Sequence, residues 1–100
     1  MEHDRHAEDM YLQAAQASAT PWNSTKSIGR VPMHGMWSLL ICRVGARDGR
    51  EYIEIQAWRQ HPDRTVSPGR QRLVVPVERV ADLVALLVRA ALTPLDPPSW

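Results

Sequence analysis

The sequence contains one cysteine, one lysine and no phenylalanine, and it has no long apolar run. Because Cys42 has no second cysteine to pair with, a disulfide within the chain is excluded, which favours a reducing compartment. No apolar run approaches the roughly 20 residues that a membrane span needs, so no membrane association is expected. The opening residues MEHDRHAEDM are acidic and polar, unlike a secretory signal peptide. We therefore expect a cytoplasmic protein.

The sequence also lacks the usual signatures of catalysis and of metal binding. It has no paired-carboxylate, nucleophile–base or phosphate-loop motif, so we expect neither an enzyme nor a cofactor. His3 and His6, with Glu2, Asp4 and Asp9, contain metal-binding groups, but they lie in a segment that we predict to be a tail. We therefore predict no metal site.

Charge is unevenly distributed along a chain whose net charge is only +1. Residues 26–72 carry nine Lys/Arg and four Asp/Glu, whereas the segments on either side are mildly acidic. A basic middle section favours a polyanionic partner. An ordinary solvated surface would also explain it, so the charge pattern alone does not decide between the two.

With 100 residues, the chain has room for one small core, and its patterns predict four strands followed by a helix. In REYIEIQAWR, for example, Ile53, Ile55 and Ala57 alternate with polar and aromatic residues. Asp48 and Gly49 predict a hairpin turn. The predicted strands are residues 26–31, 36–44, 50–59 and 70–77, residues 60–69 form a loop, and the helix is 78–92. Residues 1–25 are predicted to be a flexible tail in which Trp22 could dock, residues 26–92 the domain, and residues 93–100 a proline-rich tail.

The predicted helix is more apolar than one small sheet requires. A helix that covers one sheet face would still expose apolar side chains, and a second copy of the chain is the simplest way to bury them. We therefore predict a homodimer. Its interface residues are Val80, Val84, Leu87 and Ala91, which recur at helical spacing.

Four segments between residues 49 and 83 follow one another with the order and spacing of a known family. GREYIEIQAW, HPD, SPGR and LVVPVERVADL together resemble the C-terminal domain of the transcriptional coactivator family called positive cofactor four, including its small bacterial relatives. IGR at residues 28–30 resembles the first strand of that family, whereas residues 31–46 align poorly. The resemblance implies an α+β fold, with a curved four-stranded antiparallel sheet, one C-terminal helix, dimerisation through the helices and binding of single-stranded DNA on the sheet.

The family's binding residues can be carried over position by position. Arg50 takes a basic position after the hairpin turn, Trp58 and Arg59 fall where the family has two aromatics, and Arg70 matches the arginine of Pro-Gly-Arg. The chain differs from the family in the charge of several residues at these positions. Gln56 replaces an arginine, and lysines of the family are replaced by Asp48, Ser67 and Gln71, although Arg72 offers a substitute cation. These departures bear on affinity more than on fold.

The residue types also fit this chemistry without the resemblance. Single strands expose unstacked bases and phosphates, which aromatic faces and cations bind with little sequence preference. Tyr52 and Trp37 are further aromatic candidates, although Trp37 is expected in the core and Trp58 fits either role. Arg70 and Arg72 are expected to share one face, aimed by the bend at residues 68–69. The predicted nucleic-acid-binding residues are Arg30, Arg43, Arg47, Arg50, Gln56, Trp58, Arg59, Arg70 and Arg72.

The sequence thus predicts a dimeric binder of single-stranded DNA or RNA that acts in transcription, replication or DNA transfer, associated with the nucleoid if the protein is bacterial. Two alternatives remain open. One is a protein-interaction or scaffolding dimer of the same fold that has lost nucleic-acid binding, and the other is a duplex-DNA-binding transcription regulator. The C-terminal residues DPPSW could recruit a protein partner, or Trp100 could dock on its own domain.

Overall fold

The chain forms a four-stranded antiparallel sheet followed by one helix. The structure is a computed structural model, and it describes residues 10–11 and 22–97. The strands are β1 (Ser24–Pro32), β2 (Trp37–Gly45), β3 (Glu51–Gln60) and β4 (Val66–Pro76), and each pairs with the next in chain order. A 3-10 turn (Val77–Arg79) leads into helix α1 (Val80–Leu92). The predicted α+β fold, with four antiparallel strands and a C-terminal helix, is confirmed.

Short connections set the order of the strands. As predicted, Gly49 lies in the β2–β3 turn, and its φ is positive, at +85°. Asp48, which precedes Gly49 in this turn, does not have a positive φ. In the β3–β4 connection, Arg64 has a φ of +72°, a backbone conformation that residues other than glycine rarely adopt. Asp63 supports that turn, because its Oδ1 accepts hydrogen bonds from the Thr65 backbone N–H at 3.0 Å and from Thr65 Oγ1 at 2.6 Å.

The two faces of the sheet differ in what covers them. Residues paired across antiparallel strands share a face, so the register assigns each side chain to one of two faces. Face A includes the side chains of Leu40, Cys42, Val44, Glu54 and Trp58, which are all buried. Face B includes those of Leu39, Ile41, Ile53, Ile55 and Leu73, which are half-buried or exposed. The core therefore lies on face A.

Strand β4 begins earlier than predicted and contains an irregularity. It starts at Val66, so Pro68 and Gly69 lie inside the strand and not in the predicted loop. Gln56 pairs with Arg72 while Trp58 pairs with Pro68, which leaves extra β4 residues between the two pairs. Such a bulge redirects the side chains that follow it. Side chains along β4 therefore do not simply alternate between the two faces, and this changes the directions in which the Arg70 and Arg72 side chains point.

Helix α1 extends away from the sheet of its own chain. None of its residues is buried, and Leu87 is 58% exposed. The expectation that the helix covers one sheet face is therefore wrong for the single chain: the helix and most of face B lack a cover, although Ala57 and Val75 on face B are buried. None of the helices within the described ranges is long and apolar enough to cross a membrane.

Both predicted tails are described only in part. Met10 and Tyr11 are helical, and Tyr11 is buried on face A, so this part of the predicted N-terminal tail is docked on the sheet. Trp22 docks there as well, as the sequence allowed, and β1 begins two residues before the predicted start of the domain. At the other end, residues 93–97 leave the helix without a regular structure. Trp100 lies outside the described residues, so its role as a partner-binding or docked residue stays a prediction.

Candidate nucleic-acid interface

Arg30 lies on face A, directly above an aromatic ring. Its guanidinium carbon is 4.9 Å from the centre of the Tyr11 ring, within the range of a cation–π contact. Its Nη1 also donates a hydrogen bond of 3.2 Å to Ser38 Oγ. The guanidinium group is thus held over the ring by the cation–π contact with Tyr11 and by the hydrogen bond to Ser38.

Arg72 makes a similar arrangement further along face A. Its Nε is 2.8 Å from Glu54 Oε2, and its guanidinium carbon is 5.6 Å from the centre of the Trp22 ring. The Trp22 indole N–H donates a 2.7 Å hydrogen bond to the same Glu54 oxygen. Trp22 in turn packs beside Tyr52, with ring centres 5.6 Å apart. Arg72, predicted as a free cation, is therefore the ion-pair partner of a carboxylate that is only 8% exposed.

The two strand tryptophans differ in exposure, and the expectation for Trp37 is wrong. Trp58 is 3% exposed and packs in the core of face A with Leu40 and Val44, so its ring is not open to solvent in this arrangement. Trp37, which was expected in the core, is 41% exposed. The reason is register, since Trp58 pairs with Ser38 on the covered face whereas Trp37 pairs with Arg59 on face B.

Arg70 lies beside Trp37, away from Arg72. It lines a pocket of about 580 Å³ together with Met33, His34, Trp37, Ser38, Leu39, Ala57 and Gln71. Gly69 is needed next to this pocket, because a Cβ there would lie 2.8 Å from Trp37 Cζ3 and 3.1 Å from the Ala57 carbonyl oxygen. The expectation that Arg70 and Arg72 share one face is wrong, because the bulge in β4 separates them.

The remaining predicted cations lie on face B or at the β2–β3 turn. Arg43 on face B forms an ion pair with Glu51, Nε to Oε1 at 3.0 Å, which raises the pKa of Arg43 and lowers the pKa of Glu51. Arg59 is exposed on the same face. Arg47 and Arg50 are exposed at the turn, where Arg50 Nε is 3.6 Å from Asp48 Oδ2.

The structure therefore brings together four of the nine predicted binding residues on face A. These are Arg30, Gln56, Trp58 and Arg72, of which Gln56 donates a 3.3 Å hydrogen bond to the Gly69 carbonyl oxygen. Sequence reasoning missed Tyr11 as a part of this surface. For Tyr11, the only signal in the sequence was the short apolar group that it forms with its neighbours. For Trp22, the signal was its place as an isolated aromatic residue ahead of β1.

Face A also contains a thiol, that of Cys42. Burial raises the pKa of the Cys42 thiol, which disfavours the reactive thiolate. Residues 10–11 and 22–97 contain no group of three His, Cys, Asp or Glu side chains that could hold a metal ion. His3 and His6 lie outside these ranges. What face A does present is a set of guanidinium groups and aromatic rings.

Comparison with known proteins gives one structural match. No protein-family model matches the sequence, and no curated protein matches it either. The crystal structure of a PC4 homolog from Burkholderia pseudomallei is similar to this chain, with a TM-score of 0.62 at 23% sequence identity. The similarity covers 75% of this chain and all of the other. The resemblance to positive cofactor four is thus confirmed at the level of the fold.

Proposed function

We propose that this protein is a non-enzymatic homodimer that binds single-stranded DNA or RNA on face A with little sequence preference. It would act in the cytoplasm, in transcription, replication or DNA transfer. The observation that carries the proposal is the pairing of guanidinium groups with aromatic rings on one face of a PC4-like sheet, at Arg30 and at Arg72. Each of these guanidinium groups holds a flat ring of the protein, and a single strand offers unstacked bases of that shape together with phosphates that seek cations.

Arginine suits this surface better than lysine. A guanidinium group can stack on a base with its face while it donates to a phosphate with its edge, and an ammonium group cannot do both. Arg30 already makes both kinds of contact within the protein, with Tyr11 below it and Ser38 beside it. Arg47 and Arg50, at the β2–β3 turn, would extend the basic surface beyond face A.

A homodimer would cover the two surfaces that the single chain leaves open. Helix α1 exposes Val84, Leu86, Leu87 and Val88, and face B exposes Leu73 beside half-buried Ile41, Ile53 and Ile55, although Ala57 and Val75 on that face are buried. Apolar surface of this extent on a small chain indicates a partner. A second copy supplies one apolar helix that would pack against the exposed surface of the first, and the predicted interface residues Val80, Val84, Leu87 and Ala91 lie on that helix. Dimerisation in this way would leave face A outside the dimer interface.

Anisotropy of a labelled single-stranded oligonucleotide tests the proposal, with unlabelled single strands and duplexes of the same sequence as competitors. Single strands should compete far better than duplexes. Preferential competition by duplex would favour a duplex-DNA-binding regulator instead. Absence of binding by a folded dimer would favour the scaffolding alternative.

The salt dependence of binding then locates the surface. Arg30→Ala should make the log–log salt slope shallower by about 0.7, the value for one lost phosphate contact on a single strand. Arg43→Ala is the matched control, because Arg43 is an arginine of the next strand that lies on face B. An equal loss of slope in both variants would argue against face A as the binding surface.

A further inference from the structure

Tyr11 occupies a position on face A that a nucleic-acid base would be expected to take. Its ring is 1% exposed, packs against Leu40, Cys42 and Val44, and lies under the guanidinium group of Arg30. In sequence it lies well before β1, so it is not part of the sheet that it covers. A flat ring between an apolar floor and an arginine is also how proteins hold unstacked bases.

Trp22 repeats this arrangement at the second arginine. Its indole lies under Arg72 and beside Tyr52, and its N–H is bonded to Glu54. Two aromatic side chains from the N-terminal part of the chain thus lie against the two arginines of face A. The same contacts would be made by two bases of a bound strand.

We propose that Tyr11 and Trp22 form an autoinhibitory contact, in which the protein's own rings compete with the bases of a single strand for face A. This inference rests on the function proposed above. Binding would require Tyr11 to leave the core of face A, which frees the Arg30 guanidinium and uncovers Leu40 and Val44 as a stacking floor. The affinity measured for the whole chain would therefore be lower than that of the uncovered face.

The size of the effect follows from the population of the open form. If the contact is open in about one molecule in ten, the apparent dissociation constant is about tenfold larger than that of the open form. Tyr11→Ala in the 100-residue chain removes the Tyr11 part of this contact while Trp22 stays in place, so the variant should bind single strands several-fold, up to about tenfold, more tightly. Met10→Ala is the matched control, because Met10 is adjacent to Tyr11 but only half-buried, and its affinity should equal that of the wild type.

A protease experiment tests the displacement on the unmodified protein, independently of whether Tyr11→Ala folds. Chymotrypsin cleaves after tyrosine, and cleavage after Tyr11 should be slow in the free protein because the side chain is buried. A saturating single-stranded oligonucleotide should accelerate that cleavage several-fold, whereas a duplex of the same sequence, which should not bind, should leave it unchanged. Mass spectrometry of the products identifies the site.

The outcomes separate this inference from the function on which it rests. An oligonucleotide that binds while cleavage after Tyr11 stays constant or slows would overturn the autoinhibitory contact and leave the binding function standing. Unchanged or weaker binding by a folded Tyr11→Ala variant would do the same. Binding by Tyr11→Ala but not by the wild type would support both. If neither protein binds, the proposed function itself fails, and the inference fails with it.

Discussion

Replacing Arg72 by alanine should destabilise the protein much more than replacing Arg70, although the two arginines are separated by a single residue. Arg72 is the ion-pair partner of Glu54, whose side chain keeps only 10% of its exposure. Within the described residues, the Arg70 side chain makes no ion pair or hydrogen bond, and Arg70 lies exposed beside the Trp37 pocket. From the sequence alone, both arginines look like surface cations whose loss would hardly affect folding.

The magnitude follows from the burial of the two partners. Removing one member of a fully buried pair costs about 3–5 kcal/mol, because the other charge stays buried without compensation. Arg72 retains 36% of its side-chain exposure, which allows water to screen the pair, and the Trp22 indole N–H would still be bonded to Glu54. We therefore expect Arg72→Ala to cost about 1–3 kcal/mol, and Arg70→Ala to cost less than about 0.5 kcal/mol.

Urea unfolding followed by circular dichroism measures both values, at one protein concentration because a dimer's stability depends on it. The double-mutant cycle with Glu54→Gln isolates the pair: in the Glu54→Gln background, Arg72→Ala should lose most of its effect, since no buried charge remains to be stranded. Equal unfolding midpoints for Arg70→Ala and Arg72→Ala would refute the reasoning. A full effect of Arg72→Ala in the Glu54→Gln background would refute the role of the ion pair.

Three further predictions concern the helix, a turn and the bulge. Leu87→Glu should give monomers or aggregates by sedimentation, because a dimer interface would bury an unpaired carboxylate, and an unchanged dimer would argue against the α1 interface. The Thr65 hydroxyl and backbone N–H lower the pKa of Asp63, so this group contributes stability above its unfolded pKa of about 3.9, and the contribution is lost as pH falls through the folded pKa. Asp63→Asn should therefore flatten the decline in stability below about pH 4, as measured by urea midpoints across pH, and an unchanged decline would exclude a contribution from this carboxylate. Gly69→Ala should lower stability by about 1–3 kcal/mol, because its Cβ would overlap Trp37 and a backbone oxygen, and a wild-type melting curve would show that Trp37 moves freely.

The order of the elements could be predicted from the sequence because it depends on local patterns. Alternation in β3, the Gly49 turn and the helical spacing of α1 each act within a few residues, and each is confirmed by the structure. These features also carry the resemblance to positive cofactor four. The fold class therefore followed from short-range information.

The arrangement of the candidate site could not be predicted, because it depends on contacts between distant residues. The bulge in β4 directs Arg70 and Arg72 to different surroundings, and Pro68 and Gly69 there had predicted a loop before the strand and not a bulge within it. Trp58 is buried in a core that also includes Tyr11, which is far away in sequence. The pairing of Arg72 with Glu54 likewise requires the register of β3 and β4. Alternation and composition contain none of this information.

The most direct test of the account is a nuclear magnetic resonance titration of isotope-labelled protein with a single-stranded oligothymidylate. We predict that the largest chemical-shift changes occur on face A, at the indole N–H groups of Trp22 and Trp58 and at the backbone amides of Leu40 and Glu54. Trp37, on face B, should change little. Shifts that are confined to face B and the Trp37 pocket, or no shifts at a saturating concentration of the oligonucleotide, would contradict the claim that face A binds single-stranded nucleic acid.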